Sequence, residues 1–525
     1  MRLLLLVLFV SVNLFVFAQP ENIMIGNQGN PEEPSIFINT INPAIIMAGA
    51  NINKVYLSTD TGRTWTENTL ESNFGVWGDP CIISDTAGDF YFLHLANPPS
   101  DSGHWIDRII CQKYSTNQNI WTKDTFMGLE GGPDYAQDKE WIAVDKSNNN
   151  LYVTWTQFDK YGSSDTIHKS NILFSKSTDG GHSWSVAKRI NEVSGDCIDS
   201  DNTVEGAVPT VGLNGEIFVS WVGPEGLVFD KSLDGGNTWL EQDIFVANIP
   251  GGWDYDIPGI NRCNGLPITD CDISGGQYNG TIYINWSDQR NGDDNTDIWV
   301  AKSNDNGNTW SSPIKVNNDT TLNHQFLTWM DIDQSTGYVY FVFYDRRNYS
   351  DKNTDVYIAV SKDGCNTFEN YKISESPFIP TTSVFFGDYN NISVQNGIVR
   401  PIWTRFNQGI GELSIWTALI NPDTDLSSKS IIKTVSNIDV SIYPNPSTDI
   451  AFFKFKLKKS SKVSLEVFDM KGSKVATLID DRQYQYGKYI EKFDARTLNL
   501  KPGVYQFRFH FDNKVEIKQF VLGSE

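Results

Sequence analysis

The chain has 525 residues, 39% hydrophobic and 13% aromatic, enough apolar material for a large core and too long for one ordinary domain. Its net charge of −22 excludes nucleic acid as a partner, because phosphate binding needs a basic surface. Apolar segments rich in aromatic and β-branched residues, broken about every 8–12 residues by Gly and Asn/Asp, predict an all-β protein rather than a helical one.

The chain opens with MRLLLLVLFVSVNLFVFAQP, one Arg followed by an unbroken apolar run. Val16 and Ala18 suit the −3 and −1 positions of a signal-peptidase site, so residues 1–18 read as a signal peptide and Gln19 as the mature N-terminus. No later stretch is long and apolar enough to span a bilayer, which predicts an exported protein that is not integral to a membrane. Six cysteines follow the signal, and export permits disulfides. Cys263 and Cys271, eight apart, are the expected pair.

An octet then recurs: STDTGRTW at 58–65, STDGGHSW at 177–184, SLDGGNTW at 232–239, SNDNGNTW at 303–310 and a degenerate SKDGCNTF at 361–368. Each copy follows one short strand and precedes another, so it reads as a hairpin turn. Its Asp can accept backbone N–H groups, Gly supplies positive φ, and the Trp packs back between neighbouring sheets. The octet resembles the Asp box, or bacterial neuraminidase repeat, of sialidase-like β-propellers. That resemblance implies a structural role for the boxes and a functional site on the opposite face. STNQNIW at 115–121 fills the double gap between the first two copies. Strands of one recurring type, from NPAIIMAGAN to NGIVRPIWTRF, number seven. The expected fold over 19–420 is therefore an Asp-box β-propeller, with seven blades favoured and six, as in sialidases, the alternative. NIMIGNQG, near the mature N-terminus, is expected to complete the last sheet and close the ring.

Candidate chemistry lies where each innermost strand begins. In chain order these positions offer Glu33, Asp79, Glu140, Glu205, Asp270 or Asp272, Asp331 and Asp388, an acidic ring around the channel mouth. Clustered carboxylates repel and raise one another's pKa, which suits a general acid or a bound cation. The plainer alternative is that each carboxylate caps backbone N–H groups locally. Arg290 in WSDQR, Arg346 in FYDRR and Arg405 in IWTRF form a second set that fits an anionic sugar, unless Asp288 pairs with Arg290 and Asp345 with Arg346. VEGAVPTVGLNGEIFVSW resembles the sialidase segment around the Glu that activates a tyrosine nucleophile. The resemblance implies that role for Glu205, with Tyr389 in FGDYNN as nucleophile and Asp79 as acid/base. The sequence departs from the family where a first-blade Arg-Ile-Pro belongs: here it reads NPEEPSIFI, with Glu33 and Pro34. No metal centre is assigned. The Asp/Asn-dense loops 196–206, 288–297 and 345–355 have the oxygens that suit Ca²⁺, but none has EF-hand spacing and solvated turns are the favoured reading. Trp77, Trp105, Trp253 and Trp329 are candidates to stack on sugar rings.

From Ile438 onward the composition changes: 15 of the 42 Lys+Arg but only 11 of the 64 Asp+Glu lie there, leaving this tail at +4 and the remainder at −26. A linker at 421–437 precedes a predicted β-sandwich at 438–525, whose AFFKFKL and KVSLEVFDM alternate as strands with one buried face and whose MKGSK, at 470–474, reads as a hairpin turn. Tyr443-Pro444-Asn445-Pro446, Asp469-Met470-Lys471-Gly472 and Gly503-Val504-Tyr505 make it resemble the C-terminal sorting domain of the Bacteroidetes type IX secretion system. The resemblance implies export across the outer membrane and the secretion machinery as a partner. The expected function is a secreted or surface-attached sialidase-like propeller acting on or binding an extracellular glycan or glycoprotein. The alternative is a non-catalytic binding or adhesin propeller.

Overall fold

The structure is a computed structural model that describes residues 19–99, 105–129, 135–198, 202–407, 411–422, 440–457, 460–469, 474–498, 500–511 and 514–523. The expected signal peptide, most of the expected linker and the 470–473 turn lie outside these residues. The chain divides into two compact units, one of residues 19–427 and one containing 428–525.

In the first unit the described strands form seven antiparallel sheets, each starting from an inner strand and growing outward in chain order. The inner strands are Ser35–Ile38, Gly78–Ser84, Ala136–Val144, Glu205–Val211, Ile268–Cys271, Gln325–Asp333 and Asn391–Gln395, which define sheets 1 to 7. Each inner strand packs against the next, and the seventh returns to the first. This cyclic order makes the unit a β-propeller around a central channel. The inner strands are buried on both faces, which is why they read as nearly continuous apolar runs. Glu21–Gly26 pairs with Leu413–Leu419, so the N-terminal strand supplies the outer edge of sheet 7 and closes the ring.

The octets bridge the third and outer strands of their sheets and lie at the trailing end of the inner strands. In the first, Asp60 Oδ1 accepts from the backbone N–H of Arg63 (3.0 Å) and Thr64 (2.9 Å), and Ser58 Oγ accepts from Gly62 N (2.9 Å). The same bonds recur around Asp179 and Asp234. The Thr64 hydroxyl, followed by these N–H donors, holds the Asp60 carboxyl at about 2. The octet also joins sheets. Trp239 lies 5.1 Å from Phe174 of the preceding sheet, and Trp310 lies 5.0 Å from Phe229. Gly236 and Gly307, at φ 81° and 78°, present bare backbone to those two phenylalanines, where a Cβ would come within 2.3 Å of the ring.

The second unit is a sandwich of a three-stranded sheet, Val440–Tyr443, Ile450–Leu457 and Gly487–Asp494, and a four-stranded one, Ser461–Asp469, Lys474–Tyr484, Gly503–Phe511 and Lys514–Leu522. Phe453, Phe455, Phe493, Phe507, Phe509 and Phe520 fill the space between them. All six cysteines of the chain are free and buried. The expected Cys263–Cys271 pair is absent because the inner strand of sheet 5 separates them: Cys263 precedes its leading end, while Cys271 is its last residue.

Candidate functional site

A repeated backbone device shapes the channel. Four inner strands carry one extra residue near their leading ends, between Gly78 and Cys81, Asp138 and Trp141, Glu205 and Val208, and Phe326 and Trp329. Asp79, Lys139, Gly206 and Leu327 sit in these bulges with φ of 53°, 53°, 75° and 46°. Glu33 (φ 51°) and Gly387 (φ 94°) precede the inner strands of sheets 1 and 7 in the same conformation. A bulge re-aims its side chain, and left-handed backbone is unfavourable for residues with a Cβ. Four of the six positions nevertheless carry a Cβ: Leu327 and the charged Glu33, Asp79 and Lys139.

Those three side chains meet. Lys139 Nζ lies 2.9 Å from Asp388 Oδ2, 3.1 Å from Asp79 Oδ2 and 3.4 Å from Glu33 Oε1. Arg262 Nε donates to Asp388 Oδ1 (2.9 Å), and its second arm reaches Oδ2. Asp388 N donates to Glu33 Oε1 (2.9 Å), Asp79 N donates to Asn51 Oδ1 (2.7 Å), and the Asn51 amide donates to Glu33. Burial opposes ionisation of Asp79 and Asp388, but the Lys139 charge overrides it and both stay below the ordinary range. Burial, then the Asp79 charge, pushes Glu33 well above its usual value and Glu32 to about 8. Burial works against the Lys139 ammonium, yet Asp388 and Asp79 raise it well above its usual value.

Two residues beyond the left-handed positions stand Trp141, Trp329 and Tyr389. Their rings pack at 4.4 Å (Trp141–Trp329) and 5.1 Å (Trp141–Tyr389). Lys139 Nζ lies 5.9 Å from the Tyr389 ring. Tyr389 is 3% exposed, its hydroxyl has no hydrogen-bond partner among the described residues, and burial followed by Asp79 lifts its pKa well above the usual value.

Of the three expected catalytic residues, Asp79 and Tyr389 thus belong to one cluster. Glu205 opens the inner strand of sheet 4, fully buried opposite Val222. Glu140 is also buried, both its oxygens lack a hydrogen bond among the described residues, and burial followed by the Asp79 charge raises its pKa well above the usual value. The expected acidic ring at one level is corrected by the register. Asp331 is the seventh residue of its strand, four beyond Leu327, and Asp270 the third of its own. Both lie past the aromatic layer, facing the octet side. Asp272 caps a turn, accepting from Ser274 N at 2.8 Å.

The arginines are braced one by one. Arg290 grips Asp288 and lies 4.6 Å from the Trp299 ring. Arg346 donates to Thr354 Oγ1 (3.0 Å) and Pro258 O (2.8 Å), while Asp345 pairs with Arg347 at 2.6 Å instead of with Arg346. Arg405 lies over Trp416 and donates to Ser376 (2.7 Å). Each of these bonds holds a guanidinium to its own sheet or to a loop beside it. Among the described residues no group of three or more His, Cys, Asp or Glu is placed to hold a metal ion, and the oxygens of loops 288–297 and 345–355 bond within the protein.

Trp253 and Trp329 are buried, so two of the four expected stacking residues are core. Trp77 and Trp105 are exposed, at 40% and 42%. They stand edge to face, 5.7 Å apart at 89°, and Tyr161 meets Trp105 at 5.5 Å and 85°. Trp77 precedes the inner strand of sheet 2, while Trp105 and Tyr161 lie in loops between second and third strands, so all three occupy the face opposite the octets. Lys139 and Arg262 escaped sequence reading because their partners lie 60 to 249 residues away. The only local trace was a Lys among the acids of DKEWIAVD.

The class these features define is an exported all-β protein: a propeller sealed by its N-terminal strand, joined to a C-terminal sandwich. Residues 441–523 match the family described as "Secretion system C-terminal sorting domain". That tail marks the chain for type IX export to the cell surface or the medium. No curated protein matches the chain. Among solved structures the chain is similar to a Hadza microbial sialidase (12% identity, TM-score 0.42, covering 72% of this chain and 73% of that one). It is also similar to Trypanosoma rangeli sialidase with the inhibitor DANA (11%, 0.42, 88% and 87%) and to an ulvan lyase of a new polysaccharide lyase family (10%, 0.45, 76% and 96%).

Proposed function

We propose that the propeller binds extracellular glycans on the face bearing Trp77 and Trp105 and does not hydrolyse them. The mature chain runs from Gln19, its propeller to 420 and its sorting domain from 438. The observation that carries this reading is the state of the expected catalytic groups. Asp79 is 7% exposed and spends its charge on Lys139, and Tyr389 is packed under the same cluster. A general acid has to reach the glycosidic oxygen, and these groups face one another instead. The Trp77–Trp105 corner, by contrast, leaves two indoles 40% and 42% exposed, and an exposed indole is a usual means of holding the C–H face of a sugar. The absence of an Arg-Ile-Pro segment, with Glu33 turned into the ion cluster in its place, agrees with binding without sialoside hydrolysis.

The test has two parts. A glycan array probed with the exported chain should show binding, and a panel of chromogenic aryl glycosides, sialoside included, should show no turnover. Turnover abolished by Glu205→Gln would overturn the proposal and make the protein a hydrolase. An array without signal would remove glycan binding.

A further inference from the structure

The two sheets of the C-terminal sandwich use their outward charges differently. On the four-stranded sheet Lys462 pairs with Asp481 and Lys474 with Glu466, each at 3.0 Å. On the three-stranded sheet Lys454, Lys456, Lys488 and Lys492 are all exposed, and none is in an ion pair among the described residues. We propose that this lysine face is where the tail docks on an acidic protein surface of the type IX export machinery. The inference rests on the sorting tail and does not depend on glycan binding by the propeller.

Strand alternation fixes which residues share the face. Ala451, Phe453, Phe455 and Leu457 are buried between the sheets, so Phe452, Lys454 and Lys456 point away from them. The register sets Lys456 directly opposite Lys488, Lys454 opposite Ile490, and Phe452 opposite Lys492. Directly opposed Cβ atoms lie about 5 Å apart and alternate residues of one strand about 7 Å, so the four lysines form one patch. Like charges placed directly opposite destabilise a sheet, and no acid stands between Lys456 and Lys488. The acids at the far end of these strands, Asp449 and Asp494, are held by Arg496 at 3.2 Å each. The sheet therefore carries a repulsion that an acidic partner would relieve.

The apolar residues in the patch decide the class of partner. Ile490 is 59% exposed. Tyr443, opposite Phe452 in the register, is 42% exposed and sets its ring 5.9 Å from the Phe452 ring. Charges thus alternate with apolar side chains. That mixture suits a protein interface, where aromatic contacts are buried and charges set orientation and on-rate. A polyanionic chain asks instead for a continuous basic stripe.

The test is export of the full chain by a bacterium with a type IX system, with deletion of 438–525 as the reference for no export. Lys456→Glu combined with Lys488→Glu should lower the exported fraction about tenfold or more, the effect of turning two attractive contacts into repulsive ones. An equal change of charge at two exposed propeller lysines, Lys123→Glu with Lys169→Glu, should leave export unchanged. Lys456→Arg with Lys488→Arg should export as the wild type does. Lys488→Glu alone separates docking from folding. It replaces a like-charge pair by an attractive one, so in the purified chain it should make the tail more resistant to protease while still lowering export. Selection for restored export of that variant should return an acidic-to-basic substitution in an export component. Normal export of the double Glu variant, or a Lys488→Glu tail cleaved faster than the wild type, would overturn the proposal. So would sedimentation of the wild type, but not of the double Glu variant, with phosphatidylglycerol vesicles, which would assign the face to a membrane.

Discussion

Replacing Lys139 by Met removes one buried ammonium from among three carboxyl groups. Burial and the Asp79 charge raise the Glu33 pKa, which disfavours its charge, and Asp388 keeps Arg262, so the charge left without a partner is Asp79. Stripping a buried ion of its partner costs about 3–5 kcal/mol, and the retained Arg262 favours the lower end, about 3. The sign with pH follows from the shifts. Asp79 and Asp388 are depressed, so their contribution is present above the unfolded value of 3.8 and lost as pH falls through the folded one. Lys139 is raised, so its contribution is present below 10.5 and lost as pH rises through its folded value. Between pH 7 and pH 5 the wild-type trio is therefore unaffected. In Lys139→Met, burial drives the Asp79 pKa upward, and each pH unit of acidification then recovers about 1.4 kcal/mol. The loss of about 3 kcal/mol at pH 7 should nearly vanish at pH 5. The assay is urea unfolding followed by tryptophan fluorescence, which reports the propeller alone because all 16 Trp precede residue 421. A loss under about 1 kcal/mol at pH 7, or one independent of pH, would refute the reasoning.

The octet glycines give a paired test. Gly236→Ala drives a Cβ to 2.3 Å from Phe174 and should cost well over the about 1–2 kcal/mol of left-handed strain, whereas Gly235→Ala, with its nearest neighbour at 3.7 Å, should cost only that strain. Deleting residues 19–26 bares the edge of Leu413–Leu419 and should yield a chain that self-associates in light scattering, unlike the intact one. Since all six cysteines are free and buried, a thiol reagent should react with them only after denaturation, and gel mobility should not change on reduction. Trp77→Ala or Trp105→Ala should weaken glycan binding about tenfold, the worth of one stacked ring, without moving the urea midpoint, since both rings are exposed.

What sequence made legible was local. The carboxylate of Asp60 bonds to N–H groups three and four residues on, and the Trp of each octet lies in the same turn, so eight residues sufficed to predict the hairpin and its packing. The acids beside Glu33 and Asp79 were found by their place before an apolar run, which is also local. Their meaning was not. Nothing in QFLTWMDID announces a bulge, because its left-handed residue is Leu327 and not a glycine, so Asp331 was counted four residues too shallow. Lys139 looked like one charge among several until its bulge aimed it at residues from sheets 1, 2 and 7. The same backbone device therefore has two consequences. At the left-handed position it gathers Glu33, Asp79 and Lys139 into a self-neutralising seal, and two residues later it places Trp141, Trp329 and Tyr389 as a floor beneath it. The channel is thereby split, with its charged groups paired on one another above the aromatic floor and a cavity lined by Asp270, Asp331 and Lys146 below it. Which side chains meet in the channel is decided by what occupies the left-handed position in each sheet. That is a property of strand register, which no single motif carries.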